Sequence, residues 1–119
     1  IIATGTLVSR AVAAAAQLKA EGISARVINL STVSPLDTAE ILAAAKETKA
    51  IITAEESVTR GGVGGAVAEF VVQNHPIPMK LMGIDSFAPT GSATFLLEHF
   101  GLTADSIVAS ARELLKHGK

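Results

Sequence analysis

Ala50-Ile51-Ile52-Thr53-Ala54-Glu55-Glu56-Ser57-Val58-Thr59-Arg60-Gly61-Gly62-Val63-Gly64-Gly65 joins an apolar run to a cluster of glycines, and the architecture turns on it. Ala50 to Ala54 carry no polar/apolar alternation, the pattern of a strand covered on both faces. From Gly62 to about Asn74, Val63, Ala66, Val67, Phe70 and Val71 share one face of an expected helix. His75-Pro76-Ile77-Pro78 ends that helix, because proline lacks a backbone donor and disfavours helix in the residue before it. A buried strand feeding an amphipathic helix is one βα unit.

The same unit recurs on both sides. Ile1 to Thr4, Ala25 to Leu30 and Met79 to Ile84 read as three further strands. A helix from Leu7 to about Glu21 places Leu7, Ala11, Ala14, Ala15 and Leu18 on one face, and Gly22 stops it. Another opens at Asp37, with Glu40 at the spacing of a reciprocal capping box and Ile41, Leu42 and Ala45 as its apolar stripe, and ends near Lys49. Pro89-Thr90-Gly91-Ser92 leads into a short helix through Leu96, Leu97 and Phe100, closed by Gly101. A last helix from Thr103 carries Ile107, Ala111, Leu114 and Leu115. Alternating strands and helices give a parallel sheet with helices on both faces, so the expected fold class is three-layer α/β/α. The chain has 21 alanines in 119 residues, several of them on the first helix, where they suit close helix-to-sheet packing.

Composition narrows the function. With Lys+Arg 10 against Asp+Glu 11 and aromatics at 3%, the chain has neither the basic footprint nor the stacking platforms of a nucleic-acid binder. No cysteine is present, which removes thiolate catalysis, disulfides and cysteine-ligated zinc and suits a reducing, cytoplasmic setting. No apolar run approaches the roughly 20 residues of a membrane span. The length suits a single domain over residues 1–119, and a start on Ile1 at the edge of a strand leads us to expect a piece of a longer chain.

In an open parallel sheet, ligands sit beyond the carboxyl ends of the strands, where three loops qualify. Thr4-Gly5-Thr6 reads as a tight strand-to-helix turn. Glu55 to Gly65 has two reading frames. Arg60 and the helix start could hold an anion, with Glu55 or Glu56 as acid or base. Alternatively, the glycines allow another backbone, in this domain or a partner, to come close. No nucleotide-binding motif is met. In Asp85-Ser86-Phe87-Ala88-Pro89-Thr90-Gly91-Ser92, a hydroxyl is placed to cap the short helix; Ser92, His99 and Asp85 show no nucleophile elbow. His75, His99 and His117 lack metal-ligand spacing, so no metal site is expected. The residues thus leave an α/β domain with one unusual loop and no assembled catalytic site.

The order of these blocks resembles the C-terminal domain of transketolase and its thiamine-diphosphate-dependent relatives, 1-deoxyxylulose-5-phosphate synthase and the pyruvate dehydrogenase beta subunit. Ile1-Ile2-Ala3-Thr4-Gly5-Thr6, Ser34-Pro35-Leu36-Asp37, Glu55-Glu56 with Gly61-Gly62-Val63-Gly64, Asp85-Ser86-Phe87 and Gly101-Leu102-Thr103 carry the resemblance across the whole chain. It implies strand order 2-1-3-4, with an antiparallel edge strand upstream, and a dimeric cytoplasmic parent transferring two-carbon ketol units between sugar phosphates of the pentose phosphate pathway. Thiamine diphosphate and Mg²⁺ would lie between the preceding pyrimidine- and diphosphate-binding domains, so no cofactor, metal or catalytic residue is carried onto this segment. What is carried over is an interface role for Glu55, Glu56, Arg60, Gly61, Gly62, Gly64 and Gly65. A domain inactive alone is the expectation; the reading from another class is a free-standing anion-binding regulatory module.

Overall fold

The structure, a computed structural model, describes residues 1–117. Its elements run β1 (Ile2–Ala3), α1 (Leu7–Ala20), β2 (Ile28–Asn29), α2 (Thr38–Glu47), β3 (Ile51–Val58), α3 (Val63–Asn74), β4 (Met79–Ile84), α4 (Ala93–His99) and α5 (Ala104–His117). The four strands form one parallel sheet in the order β2-β1-β3-β4, as the resemblance implies. Ile2 lies beside Ile28 on one side and Thr53 on the other.

Strand alternation divides the core in two. Ala3, Ile52, Ala54 and Met82 pack with Leu7, Ala11 and Leu18 of α1, Leu97 of α4 and Ile107 of α5. Ile2, Leu30 and Ile51 pack with Ile41 and Ala45 of α2 and Val63, Val67 and Val71 of α3. Ala11 and Ala14 of α1 are fully buried, so the small side chains do set a close approach to the sheet.

The helix ends follow local chemistry. Gly22, at φ +78°, closes α1 as its N–H donates to Lys19 O (3.0 Å) while that of Ile23 reaches Leu18 O (2.9 Å). Gly101 repeats this arrangement for α4, with Leu102 N donating to Leu97 O at 2.7 Å. Asp37 caps α2 by accepting from Glu40 N at 3.1 Å, but the reciprocal half of the expected box does not form. The Glu40 carboxylate turns instead to Arg26, 3.8 Å away, where a cation offers more than the Asp37 amide.

Three expectations are revised. In α2, Ala44 rather than Leu42 completes the buried face with Ile41 and Ala45. In α5, Val108 is buried with Ile107 and Ala111, whereas Leu115 is 38% exposed. β3 continues four residues past Ala54, because the two glutamates read as its end both find hydrogen-bond donors.

Candidate functional site

The carboxyl edge of the sheet gathers the three loops, and β3 organises them. Between its pairings Ala54–Met82 and Val58–Ile84 the chain takes four steps along β3 against two along β4, so β3 bulges. The bulge lies over Gly83, where an added Cβ would stand 2.7 Å from Ser57 O. Gly83 was not singled out in the sequence, although a glycine inside a strand is the usual signal of a bulge or a close backbone approach. Beyond the bulge, Thr59 N donates to Ile84 O at 3.1 Å and ties the glycine loop to β4.

Glu55 does not project from a loop. It points from β3 into the seam under α3, 1% exposed, and its two oxygens accept from Val63 N and Gly64 N, both at 2.8 Å. A carboxylate on two first-turn amides satisfies donors that a helix leaves open and meets the positive end of its dipole. That arrangement gives no support to the anion-binding frame of the loop, since Glu55 already occupies two of the first-turn amides a phosphate would use. It also removes Glu55 from consideration as a free acid or base.

The glycines are fitted to this carboxylate. At Gly62 an added Cβ would lie 2.2 Å from Val58 O and 2.5 Å from Glu55 Oε2; at Gly64, 2.5 Å from Thr53 Oγ1. The backbone that approaches Gly62 therefore belongs to this domain. Thr53 Oγ1, beneath Gly64, is a buried hydroxyl without a hydrogen-bond partner. Gly61 takes φ +79° with open space around it, and Gly65 has its nearest such neighbour at 3.8 Å.

Outside this seam the surface is open. Glu56, Arg60 and Gly61 are exposed, and Glu56 accepts a hydrogen bond from Thr6 Oγ1, which joins the first loop to the second. Phe87 in the third loop is fully exposed, and Val58 is largely so. Neither was singled out by sequence reading, which takes an apolar residue as core unless a pattern says otherwise. Ser92 caps α4 by accepting from Phe95 N at 3.1 Å, as expected. His99 is stacked on Phe95 with ring centroids 5.8 Å apart. Among the described residues no hydrogen bond joins Ser92, His99 and Asp85, and no group of three or more His, Asp or Glu could hold a metal ion.

Comparison with known proteins gives a consistent picture. Residues 1–107 match the family model described as transketolase, C-terminal domain. A 6-deoxy-6-sulfo-D-fructose transketolase subunit from Clostridium sp. (strain MSTE9) is 43% identical over 96% of this chain and 36% of its own length. A 1-deoxy-D-xylulose-5-phosphate synthase from Heliobacterium modesticaldum is 41% identical over 96% of this chain and 18% of its own length. Among solved structures, a split gene transketolase described as an inactive beta4 tetramer superposes with TM-score 0.95 at 36% identity, covering 99% of this chain and 39% of that one. The chain thus spans about a third of the transketolase subunit and less than a fifth of the synthase.

Proposed function

Because this chain belongs to the transketolase C-terminal domain family, we propose that it is one domain of a longer enzyme that transfers two-carbon ketol units between sugar phosphates. The observation that carries this reading is the 43% identity to a transketolase subunit across nearly the whole chain. The match to a subunit and to a split gene structure supports a parent divided between two polypeptides; its assembly as a homodimer and its cytoplasmic setting are part of the proposal and come from the family resemblance alone.

Thiamine diphosphate with Mg²⁺ would supply the carbanion chemistry of such a parent. Among the described residues no group of three or more His, Asp or Glu could hold a metal ion, and in the proposed parent the cofactor would lie between the preceding domains. The proposed role of the domain is assembly: Glu56, Arg60, Gly61 and Gly65 present a surface to a neighbouring domain or subunit. Glu55, Gly62 and Gly64 act behind them, by fixing the shape of the loop.

The test is ketol transfer between sugar phosphates, with thiamine diphosphate and Mg²⁺ present, by the full parent with its partner subunit and by the same protein ending just before Ile1. Activity in the full form with loss on truncation is expected. The 41% identity to a synthase supports a second reading. Formation of 1-deoxyxylulose 5-phosphate without ketol transfer would favour it, and inactivity in both assays would overturn the enzyme reading.

A further inference from the structure

β4 pairs with β3 alone, and the pairing slips where β4 has a glycine. Regular pairing onward from Ala54 and Met82 would set Val58 beside Ser86. Val58 pairs with Ile84 instead, because Glu55, Glu56 and Ser57 together face the single residue Gly83. Alternation along a strand would also turn Ser57 to the side that Glu55 takes, yet Glu56, Ser57 and Val58 are all exposed.

The absent side chain makes room for three residues against one. A Cβ on Gly83 would lie 2.7 Å from Ser57 O, 3.1 Å from Thr59 Cγ2 and 3.3 Å from Glu55 Cγ. The first is backbone of the bulge, the second opens the loop that carries Arg60, and the third is the stem of the carboxylate that holds the start of α3. None is free to retreat. Glu55 is tied to Val63 N and Gly64 N at 2.8 Å, and Thr59 N donates to Ile84 O at 3.1 Å. A methyl at Gly83 is therefore accommodated by displacing Ser57, and Val58 with it.

The slipped register is felt at the surface. Phe87 stands three residues beyond the partner of Val58, where regular pairing would leave it one residue beyond, and both side chains are exposed. We propose that Gly83 is a positioning residue of the assembly surface: its open space seats the bulge, and the bulge sets the register at which Val58 and the Arg60 loop stand relative to Phe87. This rests on the assembly role proposed above and assigns the shape of that surface to a residue outside it.

The test compares Gly83→Ala with Ile107→Val, which trims the core on the other face of the sheet, in the parent with its partner subunit. Urea unfolding reports stability and sedimentation equilibrium reports association. Under conditions where both variants are folded, Gly83→Ala is expected to weaken association about tenfold and Ile107→Val by less than about twofold. A loss with Gly83→Ala no larger than with Ile107→Val overturns the proposal, since a purely structural role acts only through stability. Arg60→Glu, on the surface itself, separates the two readings. If it weakens association while Gly83→Ala does not, only the positioning role falls; if neither does, the assembly reading falls with it. Should Gly83→Ala fail to fold, Thr59→Ala takes its place, because it removes the methyl that lies over Gly83 and leaves the backbone its room. Association weakened about threefold beyond that of Ile107→Val supports the proposal, and a smaller loss overturns it.

Discussion

At Gly62 the nearest atom to an added methyl would be Val58 O, 2.2 Å away, with the Glu55 carboxylate oxygens at 2.5 and 2.8 Å. Neither neighbour yields readily: one is backbone in β3, and the other is held by two amides at 2.8 Å. Overpacking at such a site costs about 1–3 kcal/mol, and Gly62→Ala is expected at or above the top of that range. Three residues on, the outcome reverses. Gly65 lies inside α3 with 3.8 Å of clearance, so Gly65→Ala should stabilise by roughly 0.5–1 kcal/mol through helix propensity. Urea midpoints of the two variants check the pair: a Gly62→Ala protein as stable as the original would show that the loop can relax. At Gly62 and Gly64 a larger side chain is expected to harm folding, because atoms of the domain itself already fill both positions.

At the scale of elements, α1 and α5 pack side by side and are tied by an ion pair between Glu21, just past the end of α1, and Arg112 in the third turn of α5. Arg112 Nε donates to Glu21 Oε2 at 2.8 Å, and the second guanidinium nitrogen reaches Oε1, a bidentate arrangement. The hydrogen bond from Arg112 lowers the Glu21 pKa from its ordinary value of 4.5. A carboxylate with a depressed folded pKa stabilises above its unfolded value, and that contribution is lost as pH falls through the folded one. Glu21→Gln should therefore melt below the original protein at neutral pH, and the gap should close as the pH falls below about 4. Melting curves across that range check it; a gap independent of pH would mean that packing, not charge, makes the contribution. Both side chains are accessible to solvent, so the difference at neutral pH should be small.

For the molecule as a whole, the carboxyl edge of the sheet carries exposed apolar side chains, Val58 and Phe87, beside the charged Glu56 and Arg60. Phe87 is fully exposed, so Phe87→Ser should change the unfolding free energy by less than about 0.5 kcal/mol, as read from urea unfolding. If the edge meets a neighbour in the parent, as proposed, the same change should weaken subunit association by roughly tenfold, the lower end of what burying a phenylalanine contributes. Sedimentation equilibrium of the parent with and without the substitution measures this. Unchanged association would remove Phe87 from the interface.

The sequence carried the layered α/β class, the helix stops at Gly22 and Gly101, and the caps at Asp37 and Ser92. Each of these rests on interactions within a few residues, where pattern and propensity act directly. The strand order came with the family resemblance rather than with periodicity, which does not say which strands are neighbours. The length of β3, the bulge over Gly83 and the inward turn of Glu55 were beyond local reading. Two adjacent glutamates look like the end of a strand until one finds the amides of a helix eight and nine residues away and the other the Thr6 hydroxyl fifty residues earlier. Whether a charged side chain is solvated or buried depends on the partners that folding brings to it. In this chain those partners come from α3 and from the loop after β1, elements whose positions are set by the assembled sheet.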